Sequence, residues 1–277
     1  MSGLPGDAPG GSPRPSVLML GVYLADRENH AAAIARELAR SREWRVEQRW
    51  VALGRAAIPA ELAPVTALRQ RARKGKFALL NRLLAMIRAE DAVQNLTAIL
   101  DPGDMAVDHV LDSLALAGVA ARAGAPIGEG SLGVDVGTGA GFPGIPLAIA
   151  FPASRWILVE SEGRKVEWLG KAAGALALVN AEVFRGRARE LRHARKDLEG
   201  AVHLVTARAV GDLGKLCREA RGLLRPGGVL LCPKGPTLSA EEIALGEREA
   251  AKSRLVPAGV LPMGVPGRER VCVVYRR

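Results

Sequence analysis

Hydrophobic residues from position 132 onward follow two alternating periods. Runs of four or five apolar residues, typical of strands buried on both faces, alternate with stretches whose apolar residues recur three or four positions apart, as on one face of a helix. The runs predict strands at 132–136, 156–159, 182–185, 203–207 and 229–232. The stretches between them predict helices at 145–150, from 164 onward, at 212–224 and at 239–252. This alternation predicts an α/β fold with a doubly wound, Rossmann-like parallel sheet.

The pattern changes near the carboxyl terminus. Two strand-like runs, at 255–261 and 271–275, follow the last predicted helix with no helix between them. Strands that are joined without a helical crossover pair in antiparallel fashion. The two runs therefore predict an antiparallel hairpin at the edge of the sheet.

Helical spacing dominates before the first strand. One helix is predicted from Met105 to Arg122, and an earlier one is predicted by a set of apolar residues on one helical face: Leu79, Leu80, Leu83, Leu84 and Ile87. We therefore expect three regions, which are an extension of unknown role over 1–77, a helical cap over 78–125 and a sheet domain over 126–277.

The extension has a mixed pattern of its own. Its first 15 residues are rich in Gly, Pro and Ser and are expected to be disordered. Runs at 17–24, 29–41 and 44–53 then give a strand–helix–strand pattern, which fits either a segment docked on the main domain or a fused fragment of another α/β protein. A basic run follows, and it predicts either a solvated linker or helix face, or contacts with RNA phosphates: Arg69, Arg71, Arg73, Lys74 and Lys76.

The first strand ends in a glycine-dense turn, in which Asp135, Gly137, Gly139 and Gly141 alternate with other residues. Strand, glycine turn and helix together form the nucleotide-binding corner of a doubly wound sheet, because glycines let a ligand approach the backbone. The alternation of acid and glycines is typical of an S-adenosylmethionine site. The overlapping spacing Gly139-x-Gly141-x-x-Gly144 fits the dinucleotide fingerprint instead.

Two prolines favour S-adenosylmethionine over a dinucleotide. Pro143 and Pro146 lack the N–H donors that a pyrophosphate needs at the start of a helix, whereas S-adenosylmethionine carries no phosphate. A structural turn without a ligand is the third interpretation. Glu160 ends the second predicted strand, where doubly wound folds place an acid on the ribose hydroxyls of either cofactor.

Other candidate chemistry is sparse. His109 and Asp112 lie three residues apart on a predicted helix, and without a nucleophile beside them a capping or core hydrogen bond is the expected role. Three cysteines, at 217, 232 and 272, are too scattered for a disulfide framework or a zinc site, so they predict buried thiols in a reducing compartment.

The charge balance favours a polyanionic partner, because 39 Lys and Arg against 29 Asp and Glu give a formal net charge of +10. The apolar run at 17–25 is too short to span a bilayer. We therefore expect a cytoplasmic protein that binds neither a membrane nor a metal ion.

A series of motifs occurs in this order: Asn95-Leu96-Thr97-Ala98-Ile99, His109-x-Leu111-Asp112-Ser113-Leu114, the Gly137 turn with Phe142-Pro143-Gly144-Ile145-Pro146, Arg208-Ala209 and Lys234-Gly235. Together they resemble the RsmG, or glucose-inhibited division protein B, family of bacterial rRNA methyltransferases. The resemblance extends from about Leu79 to the carboxyl terminus and leaves residues 1–77 uncovered. It implies an enzyme that methylates guanine N7 in the 530 loop of 16S rRNA, with S-adenosylmethionine as the methyl donor.

The resemblance also implies which residues bind the cofactor. Together with the glycine turn and the acid after the second strand, the expected set is Gly137, Thr138, Gly139, Phe142, Glu160, Ala188, Arg189 and Arg208. Arg189 departs from the family, which usually has an acid at that position, and Glu190 comes one residue late. Either the loop shifts by one residue, or the backbone of Ala188 alone contacts the adenine.

The expected partner is 16S rRNA or the small ribosomal subunit. Its phosphates should meet a set of basic side chains: Arg164, Lys165, Arg187, Arg192 and Lys234. A splayed-out base would stack on Phe142 or on an arginine plane. No catalytic base is expected, because guanine N7 has a lone pair and no proton, so alignment suffices. Two alternatives stay open, which are a small-molecule methyltransferase and a non-catalytic RNA-binding or ribosome-assembly protein on the same fold.

Overall fold

A computed structural model describes residues 63–208, 213–265 and 267–277. The strand–helix–strand segment predicted between residues 17 and 53, and the disordered start predicted before it, lie outside these residues. So does Ala209 of the Arg208-Ala209 motif.

Within the described residues, seven strands build the sheet: β1 Leu132–Val136, β2 Arg155–Glu160, β3 Ala181–Arg185, β4 Val202–Thr206, β5 Leu224–Lys234, β6 Val256–Pro262 and β7 Val271–Arg276. Their order across the sheet is β3-β2-β1-β4-β5-β7-β6. The first five run parallel, and β7 lies antiparallel between β5 and β6. The predicted doubly wound sheet and its antiparallel edge hairpin are confirmed.

The helices of the described residues are α1 Ala63–Gln94, α2 Pro102–Met105, α3 Asp112–Arg122, α4 Gly144–Ala150, α5 Gly163–Ala175, α6 Ala188–Ala194, α7 Leu213–Leu223 and α8 Ala240–Lys252. A π-helical turn, Ala106–Leu111, joins α2 to α3, and a 3-10 turn, Lys196–Leu198, follows α6. The helix predicted at 105–122 is therefore interrupted by a wider turn.

The strands of the sheet centre are apolar throughout because both of their faces are covered. In β2, Trp156 and Leu158 belong to one hydrophobic core, and Ile157 and Val159 belong to the core on the other face. Successive side chains of a strand point to opposite faces, so a run without polar residues fills both cores at once.

The predicted cap helix is part of the longer helix α1. Leu80, Leu83 and Ile87 of α1 are fully buried in the same core as Trp156. Position 77, where the sequence suggested a boundary, lies inside this continuous helix. Lys76, from the basic run, donates from Nζ to the carbonyl of Ala150 at 2.7 Å, so this cation binds the end of α4.

Strand β5 is longer than its apolar run predicted. It begins at Leu224, directly after α7, and includes the Pro-Gly-Gly segment at 226–228, which lies before the strand predicted at 229–232. The register between β4 and β5 shifts between Val202 and Leu204, and Gly227 has φ of +76°. An irregularity of this kind lets a strand accommodate residues that a regular ladder disfavours.

Gly144, the first residue of α4, packs closely against the sheet. A Cβ built on Gly144 would lie 2.2 Å from Leu158 Cδ2 and 2.9 Å from Asp135 Oδ2. We expect Gly144→Ala to lower the free energy of unfolding by about 1–3 kcal/mol, measured by urea denaturation, because the added methyl overpacks the core.

Gly170→Ala is the matched control for this substitution. Gly170 lies inside α5, and a Cβ built there meets nothing within 4 Å. Its replacement should raise the free energy of unfolding by up to about 1 kcal/mol through helix propensity. Changes of the same sign and size in both variants would contradict the close packing at Gly144.

Candidate cofactor and substrate site

Asp135 holds the glycine turn in place at the end of β1. Its side chain is fully buried, and its Oδ2 accepts hydrogen bonds from Thr138 Oγ1 at 2.5 Å and from the Gly144 N–H at 2.8 Å. Burial raises the pKa of Asp135 to about 6, although both of these bonds and the charge of Arg208 act in the opposite direction. One carboxylate thus ties together the strand, the turn and the start of α4.

The N–H groups of the turn are largely taken up inside the protein. Those of Gly137 and Thr138 donate to the Val159 carbonyl at 2.9 and 3.1 Å, and those of Gly141 and Phe142 donate to the Thr138 carbonyl at 2.9 and 3.0 Å. The two prolines of the turn have no N–H to offer. A pyrophosphate would therefore find few donors here, which favours S-adenosylmethionine over a dinucleotide.

Glu160 faces the turn from the end of β2. Its Oε2 accepts the Gly139 N–H at 3.0 Å, and its Oε1 accepts the N–H groups of Ser161 and Glu162 at 2.7 and 3.0 Å. A Cβ built on Gly139, whose φ is +60°, would meet nothing within 4 Å, so the backbone there borders open space. Open space beside a fixed carboxylate, with few free amide donors, fits S-adenosylmethionine.

The third part of the predicted cofactor set lies at the start of α6. Ala188 is buried and Arg189 is exposed. Glu190 accepts the Arg187 N–H on its Oε2 at 2.8 Å, so its carboxylate caps the helix on which it stands. This bond disfavours the alternative in which a shifted Glu190 replaces the acid that the family usually has at position 189.

Arg208 and Phe142 meet a residue from the cap. The Phe142 ring is 3% exposed and stacks on the His109 imidazole, with 4.6 Å between ring centroids and an interplanar angle of 21°. The Arg208 Cζ lies 5.3 Å from the Phe142 ring centroid. Because both His109 and Arg208 cover this ring, a target base does not find the open aromatic face that the sequence suggested at Phe142.

The protonation of His109 follows from its two partners. Its Nδ1 lies 3.2 Å from Arg208 Nη2, and its Nε2 lies 2.7 Å from Thr97 Oγ1. A guanidinium can only donate, so Nδ1 accepts and the ring proton is on Nε2. Burial, and then the charge of Arg208, lower the pKa of His109 to about 4. The imidazole is therefore neutral near pH 7, and both of its nitrogens have partners.

Three acids on the cap face three arginines of the sheet domain. Arg208 reaches the Asp108 carbonyl at 2.8 Å and Asp112 Oδ2 at 3.4 Å. Arg268 binds both oxygens of Asp108, at 2.7 and 2.9 Å, and Asp104 Oδ1 at 3.1 Å. Arg270 lies 3.4 Å from Asp108 and from Asp112. We call this set the acid–arginine seam.

Within the seam, the two better-buried acids respond in opposite directions. Burial raises the pKa of Asp112 despite the nearby Arg208 and Arg270. For Asp108 the raising effect of burial is outweighed by the hydrogen bond and charge of Arg268, so its pKa is lowered. The sequence suggested His109 and Asp112 as a capping or core pair. The partners Arg268 and Arg270 could not be predicted from the sequence, because no local pattern links residues about 160 positions apart.

The basic residues predicted to meet RNA fall in different surroundings. Arg164 and Arg187 are exposed, Lys165 pairs with Glu162 at 2.7 Å and Lys234 pairs with Glu242 at 2.7 Å. The Arg192 side chain lies against Gly222 at the end of α7, which leads into the amino end of β5. The structure thus brings the first four to the carboxyl edge of the strands and Arg192 to the opposite edge.

The described residues contain no helix with both the length and the apolar composition that a bilayer crossing requires. In the same part of the chain, no group of three or more His, Cys, Asp and Glu is placed to hold a metal ion. The predicted buried thiols are confirmed, since Cys217, Cys232 and Cys272 are free and buried.

The mixed sheet, with an acid–glycine turn at the point where its strand order reverses, defines a Rossmann-like fold with a nucleotide-binding corner. The sequence matches the GidB family, described as rRNA small subunit methyltransferase G, over residues 76–269. The chain belongs to this family. The predicted family and enzyme class are therefore confirmed, and S-adenosylmethionine is the methyl donor of this class.

Two relatives of known sequence agree with the family match. The chain is 42% identical over 191 residues to the ribosomal RNA small subunit methyltransferase G of Stenotrophomonas maltophilia (strain K279a), covering 67% of this chain and 79% of that one. The protein of the same name from Deinococcus radiodurans is 37% identical over 198 residues, covering 71% and 76%. A solved S-adenosylmethionine-dependent methyltransferase from Aquifex aeolicus aligns with a TM-score of 0.48 at 17% identity, over 63% and 93% of the two chains.

The neutral state of His109 predicts a pH dependence of stability. Its pKa falls from 6.5 in the unfolded chain to about 4 on folding, so between these values the folded protein binds fewer protons. The associated stability, up to about 3 kcal/mol, is present above the unfolded pKa and is lost as the pH falls through the folded one. We expect urea denaturation to show this loss in the native protein and a flatter profile in His109→Gln.

His193→Gln, on the exposed surface of α6, is the matched control and should follow the native profile. Parallel profiles for the native protein and His109→Gln would contradict the neutral, buried imidazole.

Proposed function

We propose that this protein transfers a methyl group from S-adenosylmethionine to N7 of a guanine in the 530 loop of 16S rRNA. The observation that carries the proposal is the Arg208 guanidinium, which is fixed by Asp108, His109 and Asp112 at the carboxyl end of β4, beside the glycine turn. A cation and planar donor in this position is suited to orient a guanine at the mouth of a cofactor cleft.

The cofactor would be held by residues of three neighbouring strand ends. Gly137, Thr138 and Gly139 would line it after β1, with Phe142 closing the turn behind them. Glu160, the last residue of β2, would accept hydrogen bonds from the ribose hydroxyls, since its carboxylate already faces Gly139. After β3, the buried backbone at Ala188 is the expected adenine contact. Arg189, with its exposed side chain, is expected to contribute little.

The chemistry requires alignment rather than proton transfer. When bound, S-adenosylmethionine would supply an activated methyl group, which would pass from its sulfur to the lone pair of guanine N7. N7 carries no proton, so no base is needed. The side chains around Arg208 are consistent with this, because both nitrogens of His109 and the carboxylates of the seam are already engaged. The role of this chain is to orient the base and to exclude water.

The rRNA backbone would bind along the carboxyl edge of the strands. Arg164, Lys165, Arg187 and Lys234 lie at this edge, where they can meet phosphates near the target base. Arg192 is expected to contribute from the opposite edge. Because the Phe142 ring is covered, a splayed-out base would stack on the Arg208 plane. A ribosomal RNA substrate, together with free buried cysteines, supports a cytoplasmic location.

A methylation assay tests the proposal directly. The purified protein is incubated with labelled S-adenosylmethionine and with either 16S rRNA or small subunits that lack the modification. The modified position is then mapped by cleavage at N7-methylguanine. Label at one guanine of the 530 loop is the expected result. Cofactor binding without methylation of either RNA substrate would favour a small-molecule enzyme, and failure to bind the cofactor would favour a non-catalytic assembly protein.

Glu160→Gln tests the cofactor side of the proposal. Loss of a charged hydrogen-bond acceptor to the ribose should raise the Kd for S-adenosylmethionine about 10- to 100-fold in calorimetry. Glu162→Gln is the matched control, since this neighbouring acid is exposed and pairs with Lys165. Equal affinities of the Glu160→Gln and native proteins would remove Glu160 from the cofactor site.

A further inference from the structure

A second basic site lies at the amino edge of the strands, away from the glycine turn. Helix α7 ends where β5 begins, and α8 ends shortly before β6, so both helix ends reach this edge. A pocket of about 340 Å³ opens between them, lined by Arg218, Arg221, Lys252, Ser253 and Arg254. We call it the α7–α8 pocket.

The pocket carries an excess of positive charge. Of its cations, Arg218 and Lys252 share one carboxylate, that of Glu249, at 2.8 and 2.6 Å. The charges that act on Arg221 are those of Arg277 and Arg254, which are also positive, and burial together with these charges lowers the pKa of its guanidinium. Positive groups crowded in this way are stabilised by an anion.

Two polar atoms in the pocket have no hydrogen-bond partner among the residues that the structure describes. They are Arg221 Nε and Ser253 Oγ, and both are buried. Leaving a buried donor unpaired is unfavourable, and a bound ion or water is one of the ways in which such a group is satisfied. A phosphate group accepts hydrogen bonds from N–H and hydroxyl donors such as these, and the neighbouring cations match its negative charge.

We propose that the α7–α8 pocket binds a backbone phosphate of the RNA substrate. The inference rests on the proposed function and adds to it a contact at the opposite edge of the sheet. Each central strand has five or six residues, so this contact would lie on the order of 15–20 Å from the target base. Arg192, which lies against the end of α7, extends the same basic surface. The enzyme would thus recognise RNA beyond the loop that contains the guanine.

Arg221→Gln is the first test. It should raise the KM for the RNA about three- to tenfold and leave kcat unchanged, because the pocket is remote from the cofactor turn. Loss of one phosphate contact should also reduce the slope of log K against log salt by about 0.7–0.9. Arg254→Gln probes the same pocket from the end of α8 and serves if Arg221→Gln does not fold. Arg248→Gln, an exposed cation on α8 outside the pocket, is the control.

The outcomes separate this inference from the proposed function. A native protein that does not methylate rRNA overturns the proposed function and this inference with it. The proposed phosphate contact alone is overturned if the native protein methylates rRNA while Arg221→Gln and Arg254→Gln have the same KM and salt slope as Arg248→Gln. The NMR resonance of the Arg221 Nε–H group is assigned as the one that is missing from the spectrum of a folded Arg221→Gln protein. That resonance should shift in the native protein when a 16S rRNA fragment is added, and an unchanged resonance also overturns the pocket.

Discussion

The architecture of the site depends on a buried carboxylate at the end of β1. Asp135 accepts the hydroxyl of Thr138 and the N–H of Gly144, and so fixes the turn relative to the helix that follows it. The cost of burying this group is reflected in its raised pKa. The close approach of α4 to β2 becomes possible only because residue 144 has no side chain. The position of the turn, the burial of Asp135 and the glycine at position 144 thus depend on one another.

The acid–arginine seam makes the cap and the sheet domain a single unit. The π-helical turn carries Asp108 and His109, which meet Arg208 and Arg268 from distant parts of the chain. A π turn inserts a residue relative to an α-helix, and such turns are frequent at functional sites. Here the turn places the His109 ring against Phe142 and the Asp108 carboxylate against Arg268 and Arg270. The arginine at the mouth of β4 is consequently held by the cap as much as by its own strand.

Local periodicity predicted much of this fold, and contacts between distant residues account for what it missed. The limits of β1 and the edge hairpin follow from short apolar runs, so they could be predicted. The π turn could not, because apolar spacing over six residues does not separate 3.6 from a wider period. The covered ring of Phe142 depends on His109, which lies 33 positions earlier (142 − 109) in another element. The capping role of Glu190 could not be predicted either, because an acid near the start of a helix fits several roles.

The internally bonded turn also bears on how the enzyme distinguishes its cofactor before and after reaction. Because the amides of the turn are already hydrogen-bonded within the protein, their interaction energy with a ligand changes little when the charge on its sulfur is lost. In the proposed site, the demethylated cofactor would present the same ribose and adenine to the same fixed groups. The turn itself would then contribute similar affinity for the methyl donor and for its demethylated product. On this proposal, the same hydrogen bonds that prepare the turn for the cofactor would leave the enzyme open to inhibition by its own product.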